Sequence, residues 1–142
     1  MENLNSVVSS LQSNQDSSFS NITTFAAKIG DNVTDIVVIN FSNQDLLLIT
    51  QYMKVANLYK VEIDNPDTQL NISDTVYSVS HVSGSESYEA LAAIRFLAEK
   101  LNLQKTTYVF LDLKTYERSV VTEIIETISE KVKGNDGISK KN

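Results

Sequence analysis

Three short stretches of this chain are apolar without a break: Ile-Val-Val-Ile at residues 36–39, Leu-Leu-Leu-Ile at 46–49 and Val-Phe-Leu at 109–111. The connections at residues 30–32 and 42–45 are far too short for a crossover helix, so the early strands are predicted to pair antiparallel. An antiparallel sheet with one face in water alternates apolar and polar residues, and these stretches do not. The sequence therefore predicts a sheet that is apolar on both faces.

Strand patterns also cover other parts of the first half of the chain. They lie at residues 19–29, 33–41, 58–63 and 75–82, and turn-forming residues separate them. Residues 64–74 are polar and carry the only proline, so they are predicted to form a surface loop.

Beyond residue 83 the apolar residues follow the spacing of helices. Ser83 and Glu86 have the spacing of a capping box, which predicts that a helix begins at this turn. A strand over residues 106–113 and a second helix over residues 116–133 follow, and Gly134 stands where a C-cap glycine belongs. The apolar stripe of the first helix is Leu91, Ile94, Leu97, Ala98 and Leu101. The stripe of the second is Val121, Ile124, Ile125, Ile128 and Val132.

The order of these elements predicts an α+β fold, a mostly antiparallel sheet with two helices on one face. The helices can cover only that face, and exposing the other would leave a patch larger than the few hundred Å² usual on a monomer. We therefore expect the second face to serve for dimerisation, as a β-sandwich with the sheet of a partner. Two alternatives stay open: the sheet curls onto itself, or the N-terminal arm caps it.

The strand at residues 33–41 offers two sets of side chains to the two faces. One set is Ile36, Val38 and Asn40. Because interfaces tolerate bridged polar atoms better than a closed core does, the polar Asn40 favours the interface for this set. We therefore predict that Ile36, Val38 and Asn40 bind the partner. The set assigned to the core beneath the helices is Val37, Ile39 and Phe41.

The N-terminal residues 1–18 are rich in Ser, Asn and Gln and are predicted to form a flexible arm. Leu4, Val7, Val8 and Leu11 nevertheless have the spacing of one helix face, which leaves a helix as the alternative.

The length of 142 residues leaves room for one domain. We place a single α+β domain at residues 19–133 and a polar C-terminal tail at residues 134–142.

Charge and cysteine content exclude several classes of function. The chain has 18 acidic and 12 basic residues, a net charge of −6, and scattered basic residues, so nucleic acid is not expected as a partner. The absence of cysteine excludes disulfides, thiolate nucleophiles and Cys-based metal sites. The first residues lack the features of a secretory signal, and no apolar run approaches the roughly 20 residues of a membrane span. We expect a cytoplasmic location, or cytoplasm and nucleus together, and no membrane partner.

No pattern of reactive residues points to catalysis. His81 is the only histidine, and a catalytic triad would need Ser83 and a distant acid beside it. We do not expect such a triad, because a histidine beside a polar turn is usually a surface residue. Asp35 and Asp112 are interpreted as solvated strand ends. The acidic spacing matches no calcium loop and the glycines form no phosphate cradle. We expect no enzyme activity, no cofactor and no metal.

Four local patterns, taken in order, carry a resemblance to a known family. They are the opening Phe19-Ser20, the pair Thr34-Asp35 before an apolar strand, the Ser-rich turn 83–87 before the helix Leu-Ala-Ala-Ile-Arg-Phe-Leu-Ala-Glu-Lys, and the strand Thr-Tyr-Val-Phe-Leu-Asp-Leu. Together they resemble the small proteasome assembly chaperones, in particular the family of proteasome assembly chaperone 4 and its fungal counterpart. The resemblance spans residues 19–133, and the arm 1–18 is not part of the family pattern.

The resemblance implies a chaperone without catalytic or cofactor residues. It implies a heterodimer with a similar sister chaperone, of the chaperone 3 type, through sandwiched sheets. It also implies that the pair acts on proteasome α-type subunits during early assembly of the α-ring of the 20S core particle.

The competing interpretation is a roadblock- or longin-like adaptor that binds a GTPase or a trafficking complex. These adaptors also pair small α+β domains, but they have a helix early in the chain, and the sequence shows none between residues 30 and 75.

Overall fold

The computed structural model describes residues 19–64 and 75–134. The predictions of an arm at residues 1–18, of a loop at 65–74 and of a tail beyond residue 134 lie outside these described residues. In the described part the chain forms six strands and two helices. These are β1 (Phe19–Ile29), β2 (Asn32–Phe41), β3 (Asp45–Thr50), β4 (Leu58–Ile63), β5 (Tyr77–Ser83), α1 (Tyr88–Leu101), β6 (Thr107–Asp112) and α2 (Arg118–Gly134).

The strands form one sheet in the order β1-β2-β3-β6-β4-β5. β1 pairs antiparallel with β2, and β2 with β3, as their short connections require. β5 and β6 also pair antiparallel with β4. Among the described strands, only β3 and β6 pair in parallel. The α+β fold with a mostly antiparallel sheet and two helices is therefore confirmed.

The β1–β2 hairpin shows how turn residues fix the register. Ile29 pairs with Asn32 across a two-residue turn, and Gly30 has a φ of +64°, a left-handed conformation that glycine adopts without a steric penalty. The hairpin is long, and its far end pairs Phe19 with Phe41. The described part of the chain therefore enters the sheet beside the end of β2.

Helix α1 begins four residues later than the capping-box prediction. Ser83 is the last residue of β5, and Gly84 then turns the chain with a φ of +90°. The actual N-cap is Ser87, whose Oγ accepts a hydrogen bond of 3.1 Å from the backbone N–H of Ala90. The prediction of a cap at Ser83 and Glu86 was wrong because the β5–α1 turn must be completed before helical backbone can start.

The helices pack on one side of the sheet. Residues of both helices and of all six strands meet in one apolar cluster, and its centre includes Ile36, Ile94 and Ile124, each no more than 1% exposed. This cluster is the main core of the described domain. It contains the predicted apolar stripes of both helices: Leu91, Ile94, Leu97, Ala98 and Leu101 of α1, and Val121, Ile124, Ile125, Ile128 and Val132 of α2.

Candidate protein-binding surface

A second apolar cluster occupies the opposite side of the sheet. Its buried members are Val37, Ile39 and Leu48, which are 1%, 0% and 2% exposed. Half-buried apolar side chains surround them, and neither described helix contributes to the cluster. We call this group the second-face cluster: Val37, Ile39 and Leu48 with Ile22, Phe41, Leu46, Val55 and Phe110.

Strand pairing explains why these residues meet. Val37 lies opposite Leu48, and Leu48 lies opposite Phe110 in the parallel pair, so the three side chains form a row across β2, β3 and β6. Ile39 is the middle of a second row across the sheet, because it lies opposite Leu46 on β3 and opposite Ile22 on β1. The three unbroken apolar stretches of the sequence thus supply both faces of the sheet, as predicted.

The predicted sides of β2 were inverted. Ile36 and Val38 belong to the core cluster that contains the helices, while Val37 and Ile39 belong to the second-face cluster, as does Phe41. The alternation of the two sets was right, and only the choice of side was wrong. Whether Ile36, Val38 or Asn40 contacts a partner stays a prediction, but the packing favours the other set.

The polar group of Asn40 does not indicate an interface, because it is satisfied within the sheet. Its Nδ2 donates a hydrogen bond of 3.0 Å to Oδ1 of Asp45, the residue opposite it on β3. Asp45 Oδ1 also lies 3.3 Å from Nζ of Lys105, and that Nζ donates to the carbonyl of Phe41. A polar residue on this side of β2 therefore needs no partner protein.

Asn40 also lines a cavity of about 530 Å³ between the sheet and the carboxyl-terminal parts of the helices. Val38, Leu47, Ile128 and Val132 contribute apolar walls to it. Lys105 and Asp45 also line it, and their ion pair offsets these two charges. The cavity offers no assembled nucleophile and base.

The far edge of the second face is polar. Lys60 lies opposite Tyr108 in the β4–β6 pair, and its Nζ is 5.7 Å from the centre of that ring. The same Nζ lies 3.3 Å from Oε2 of Glu62, and hydrogen bonding to this carboxylate raises the pKa of Lys60. On the edge strand, Ser78 lies opposite Glu62. The face thus has an apolar region over β2, β3 and β6 and a polar margin at β4 and β5.

The loop between β3 and β4 is fastened beside the second-face cluster by a buried carboxylate. Asp112 is 6% exposed, and its Oδ2 accepts hydrogen bonds from the backbone N–H groups of Ala56, at 3.1 Å, and Asn57, at 3.4 Å. Its Oδ1 accepts a bond from the side-chain amide of Asn57. The interpretation of Asp112 as a solvated strand end was therefore wrong.

The same network reaches the turn before α1. The side-chain oxygen of Asn57 accepts a 2.7 Å hydrogen bond from the backbone N–H of Ser85. A Cβ at Gly84 would collide with the carbonyl of Ala56 and with Asn57, so this close approach requires glycine. No local sequence pattern reveals the network, because Asn57 and Asp112 are 55 residues apart in the chain.

His81 lies opposite Tyr59 in the β4–β5 pair. Its ring lies against Tyr59, with the ring centres 5.5 Å apart, and it is half-buried rather than on the open surface as the sequence suggested. The described residues place no cluster of three or more His, Cys, Asp or Glu that could hold a metal ion. Neither described helix is both long and apolar enough to cross a membrane.

The fold has a clear relative among solved structures. It is similar to a chain in the crystal structure of a chaperone complex for yeast 20S proteasome assembly, with a TM-score of 0.62 and 14% sequence identity. The alignment covers 79% of this chain and 98% of the yeast chain. At this identity the similarity shows a shared fold. No curated protein matches the sequence.

The family model that matches is that of proteasome assembly chaperone 3, over residues 47–131. These residues are more than half of the chain and run from β3 into α2. The protein is thus a proteasome assembly chaperone by class. Within that class it belongs to the proteasome assembly chaperone 3 family, whereas the sequence patterns had suggested chaperone 4.

The adaptor alternative receives no support from the order of elements. In the described residues the first helix is α1, which follows five strands and starts at Tyr88. The early helix expected for a roadblock- or longin-like domain is not found between β1 and residue 64.

Proposed function

We propose that this chain is a non-enzymatic chaperone that forms a heterodimer with a similar small chaperone and promotes α-ring formation of the 20S proteasome core particle. Membership of the chaperone 3 family supports the class of function. Because the chain matches the chaperone 3 model, we propose that its sister is of the chaperone 4 type, not the chaperone 3 type expected from the sequence. We place the pair in the cytoplasm, or in cytoplasm and nucleus together.

The observation that carries the heterodimer is the second-face cluster. Its half-buried members Ile22, Phe41, Leu46 and Phe110 lie on four neighbouring strands, on the side to which neither described helix contributes. Apolar surface of this kind is stabilised by burial against another apolar surface, at about 25 cal/mol for each Å². The sheet of a similar domain has the matching shape, because aligned sheets pack face to face about 10 Å apart.

The distribution of polarity over the face also suits an interface. Protein interfaces have an apolar centre and a polar, wetter margin. Here the centre is the second-face cluster and one margin is formed by Lys60, Glu62 and Ser78. A partner that buries the centre leaves the Lys60–Glu62 ion pair at the margin, where its charges stay hydrated.

Affinity purification of the tagged full-length chain followed by mass spectrometry tests this function. We expect one small α+β chaperone at equal stoichiometry, together with α-type subunits of the 20S proteasome at lower abundance. Recovery of a GTPase or a trafficking complex without any proteasome subunit would contradict the proposal and favour the adaptor interpretation.

A further inference from the structure

Two consecutive large side chains of the loop between β3 and β4 are exposed to solvent. Tyr52 is 47% exposed and Met53 is 56% exposed, and neither belongs to an apolar cluster of the described residues. We call these two residues the exposed pair. Single exposed apolar side chains are common on protein surfaces, but tyrosine and methionine are both enriched at protein interfaces. Two such residues side by side are therefore a candidate contact for another protein.

Hydrogen bonds hold the loop on both sides of the exposed pair. Before the pair, the backbone N–H of Gln51 donates to the carbonyl of Asp112 at 2.9 Å. Around it, Thr50 Oγ1 accepts a bond of 3.0 Å from the backbone N–H of Tyr52 and donates one of 2.7 Å to the carbonyl of Lys54. After it, the Asp112 carboxylate accepts the two backbone hydrogen bonds described above. A loop that is fixed in advance loses little conformational entropy when a partner binds to it.

The backbone of Met53 is held in an unfavourable conformation. Its φ is +62°, in the left-handed region that residues with a long side chain avoid and that glycine or asparagine enters more easily. The one other non-glycine residue with a positive φ in the described part of the chain is Asn102, the C-cap of α1. A methionine at position 53 thus costs the fold stability without adding to an apolar cluster. Strained residues are typical of binding sites, which favours a role of Met53 in binding.

Two lysine side chains beside the exposed pair are available to a partner. Nζ of Lys114 lies 5.3 Å from the centre of the Tyr52 ring. Lys54 follows Met53 directly and is exposed. Neither lysine forms an ion pair with a described carboxylate. An aromatic ring and a thioether next to two such cations are complementary to an apolar pocket that is bordered by carboxylates.

The loop borders the second face of the sheet. Val55, which follows the exposed pair by one residue, belongs to the second-face cluster. Val33 is 65% exposed, and the alternation along β2 places it on the same side as Val37 of that cluster. Its neighbour Thr34 accepts a 2.9 Å hydrogen bond from Nε2 of Gln51, so Val33 lies at the same end of the sheet as the exposed pair. A protein seated on the second-face cluster therefore reaches the exposed pair at its edge.

We propose that the exposed pair anchors the sister chaperone at the edge of the second face. Tyr52 and Met53 enter an apolar pocket of the sister, and a carboxylate at the rim of that pocket pairs with Lys54 or Lys114. This inference rests on the proposed heterodimer and adds a preformed contact to the apolar centre of that interface.

The affinity of the full-length chain for the sister chaperone of the chaperone 4 type tests the anchor. We expect the double variant with Tyr52→Ala and Met53→Ala to raise the dissociation constant at least about 30-fold. The matched control, Val82→Ala with Tyr88→Ala, removes two other exposed side chains and should change the dissociation constant less than about threefold. Circular dichroism establishes that both variants are folded. If the double variant does not fold, the single variant Met53→Asn decides.

Met53→Asn separates binding from folding. Because asparagine enters the left-handed region more easily than methionine, we expect the melting temperature of the lone chain to stay the same or to rise. The dissociation constant for the sister should still rise about tenfold, because the thioether side chain is lost. A lower melting temperature would contradict the strain at this position, and an unchanged affinity would overturn Met53 as part of the anchor.

The dependence of affinity on salt tests the charges. We expect a tenfold increase in salt concentration to weaken binding of the unmodified chain more than binding of the variant with Lys54→Gln and Lys114→Gln. Equal dependence on salt in the two chains would show that these lysines meet no carboxylate of the sister.

The outcomes separate this inference from the proposed function. If the unmodified chain binds the sister and the folded double variant binds it equally tightly, the anchor is wrong and the heterodimer stands. If the unmodified chain does not bind the sister, the heterodimer is wrong and the anchor falls with it.

Discussion

Ile36 and Ile39 lie on opposite faces of β2 and are equally buried, but against different neighbours. Ile36 is enclosed by residues of both helices and of the neighbouring strands, all within one core cluster. Ile39, three residues further, is equally inaccessible, but its described neighbours are residues of the sheet and Val55. Both described helices pack on the first face, and neither contributes to the cluster on the second. One strand therefore serves stability on one side and, in our account, association on the other.

This difference leads to unequal consequences when a charge is placed on each side. Ile36→Asp puts an unpaired carboxylate into the core between sheet and helices, where its burial costs several kcal/mol against a total stability of about 5–15 kcal/mol. We expect the isolated chain to unfold. Circular dichroism and thermal denaturation check this.

The matched control for that change lies on the same strand. Val33 is 65% exposed, so Val33→Asp keeps a carboxylate in water and leaves the melting temperature within a few degrees. A folded Ile36→Asp variant with the thermal stability of the unmodified chain would show that the helix side of β2 is not the main core.

A smaller effect is expected at the loop that borders the second face. Asp112→Ala removes the acceptor for two backbone N–H groups and for the amide of Asn57, and the loss of such charged hydrogen bonds costs about 1.5–3 kcal/mol. Denaturant unfolding measures the change. Asp64→Ala serves as the control, because the one side-chain hydrogen bond described for its carboxylate comes from Ser78. Equal losses in the two variants would mean that Asp112 does not fasten the loop.

The smallest expected effect is a loss of folding stability at alkaline pH, and it arises from tyrosines on the helix side of the sheet. Burial raises the pKa of Tyr59, Tyr77 and Tyr116 above the usual tyrosine value. The folded chain therefore holds these protons more tightly than the unfolded chain. The resulting stability is complete below about pH 10, the usual tyrosine pKa, and is lost as the pH rises through the higher pKa values of the folded chain.

The alkaline loss of stability is measured by the melting temperature between pH 8 and pH 11. Tyr116→Phe should make the decline shallower, because one buried ionisable hydroxyl is removed. Tyr88→Phe, at a side chain that is 86% exposed, should leave the decline as it is. Parallel curves for all three proteins would contradict the assignment of the effect to the buried hydroxyl.

The sequence predicted the two-faced sheet but not which face is which. Period-two alternation separates Ile36 and Val38 from Val37 and Ile39, and it carries no information about the side on which the helices pack. The polar Asn40 was the basis for predicting which set faces the partner. The acceptor that satisfies Asn40 is Asp45, which lies opposite it across the β2–β3 connection. Local polarity was therefore a poor guide to the tertiary environment.

Other features were unpredictable because they join residues that are distant in sequence. The parallel pairing of β3 with β6 places Leu48 beside Phe110, and no local pattern encodes that neighbour. The Asp112–Asn57 network depends on the same long-range arrangement. By contrast, the apolar stripe of α2 was predicted from spacing alone, since one side of that helix is buried along its length and the other faces water.

The central claim is that the second-face cluster is the partner interface, and the dissociation constant for the sister chaperone tests it most directly. Phe110→Glu places a charge among half-buried apolar side chains at the proposed centre, and Val82→Glu places the same charge on the exposed part of edge strand β5. Circular dichroism first establishes that both variants are folded. We expect Phe110→Glu to raise the dissociation constant at least about 100-fold and Val82→Glu to change it less than about threefold. Unchanged binding by a folded Phe110→Glu variant would contradict the account.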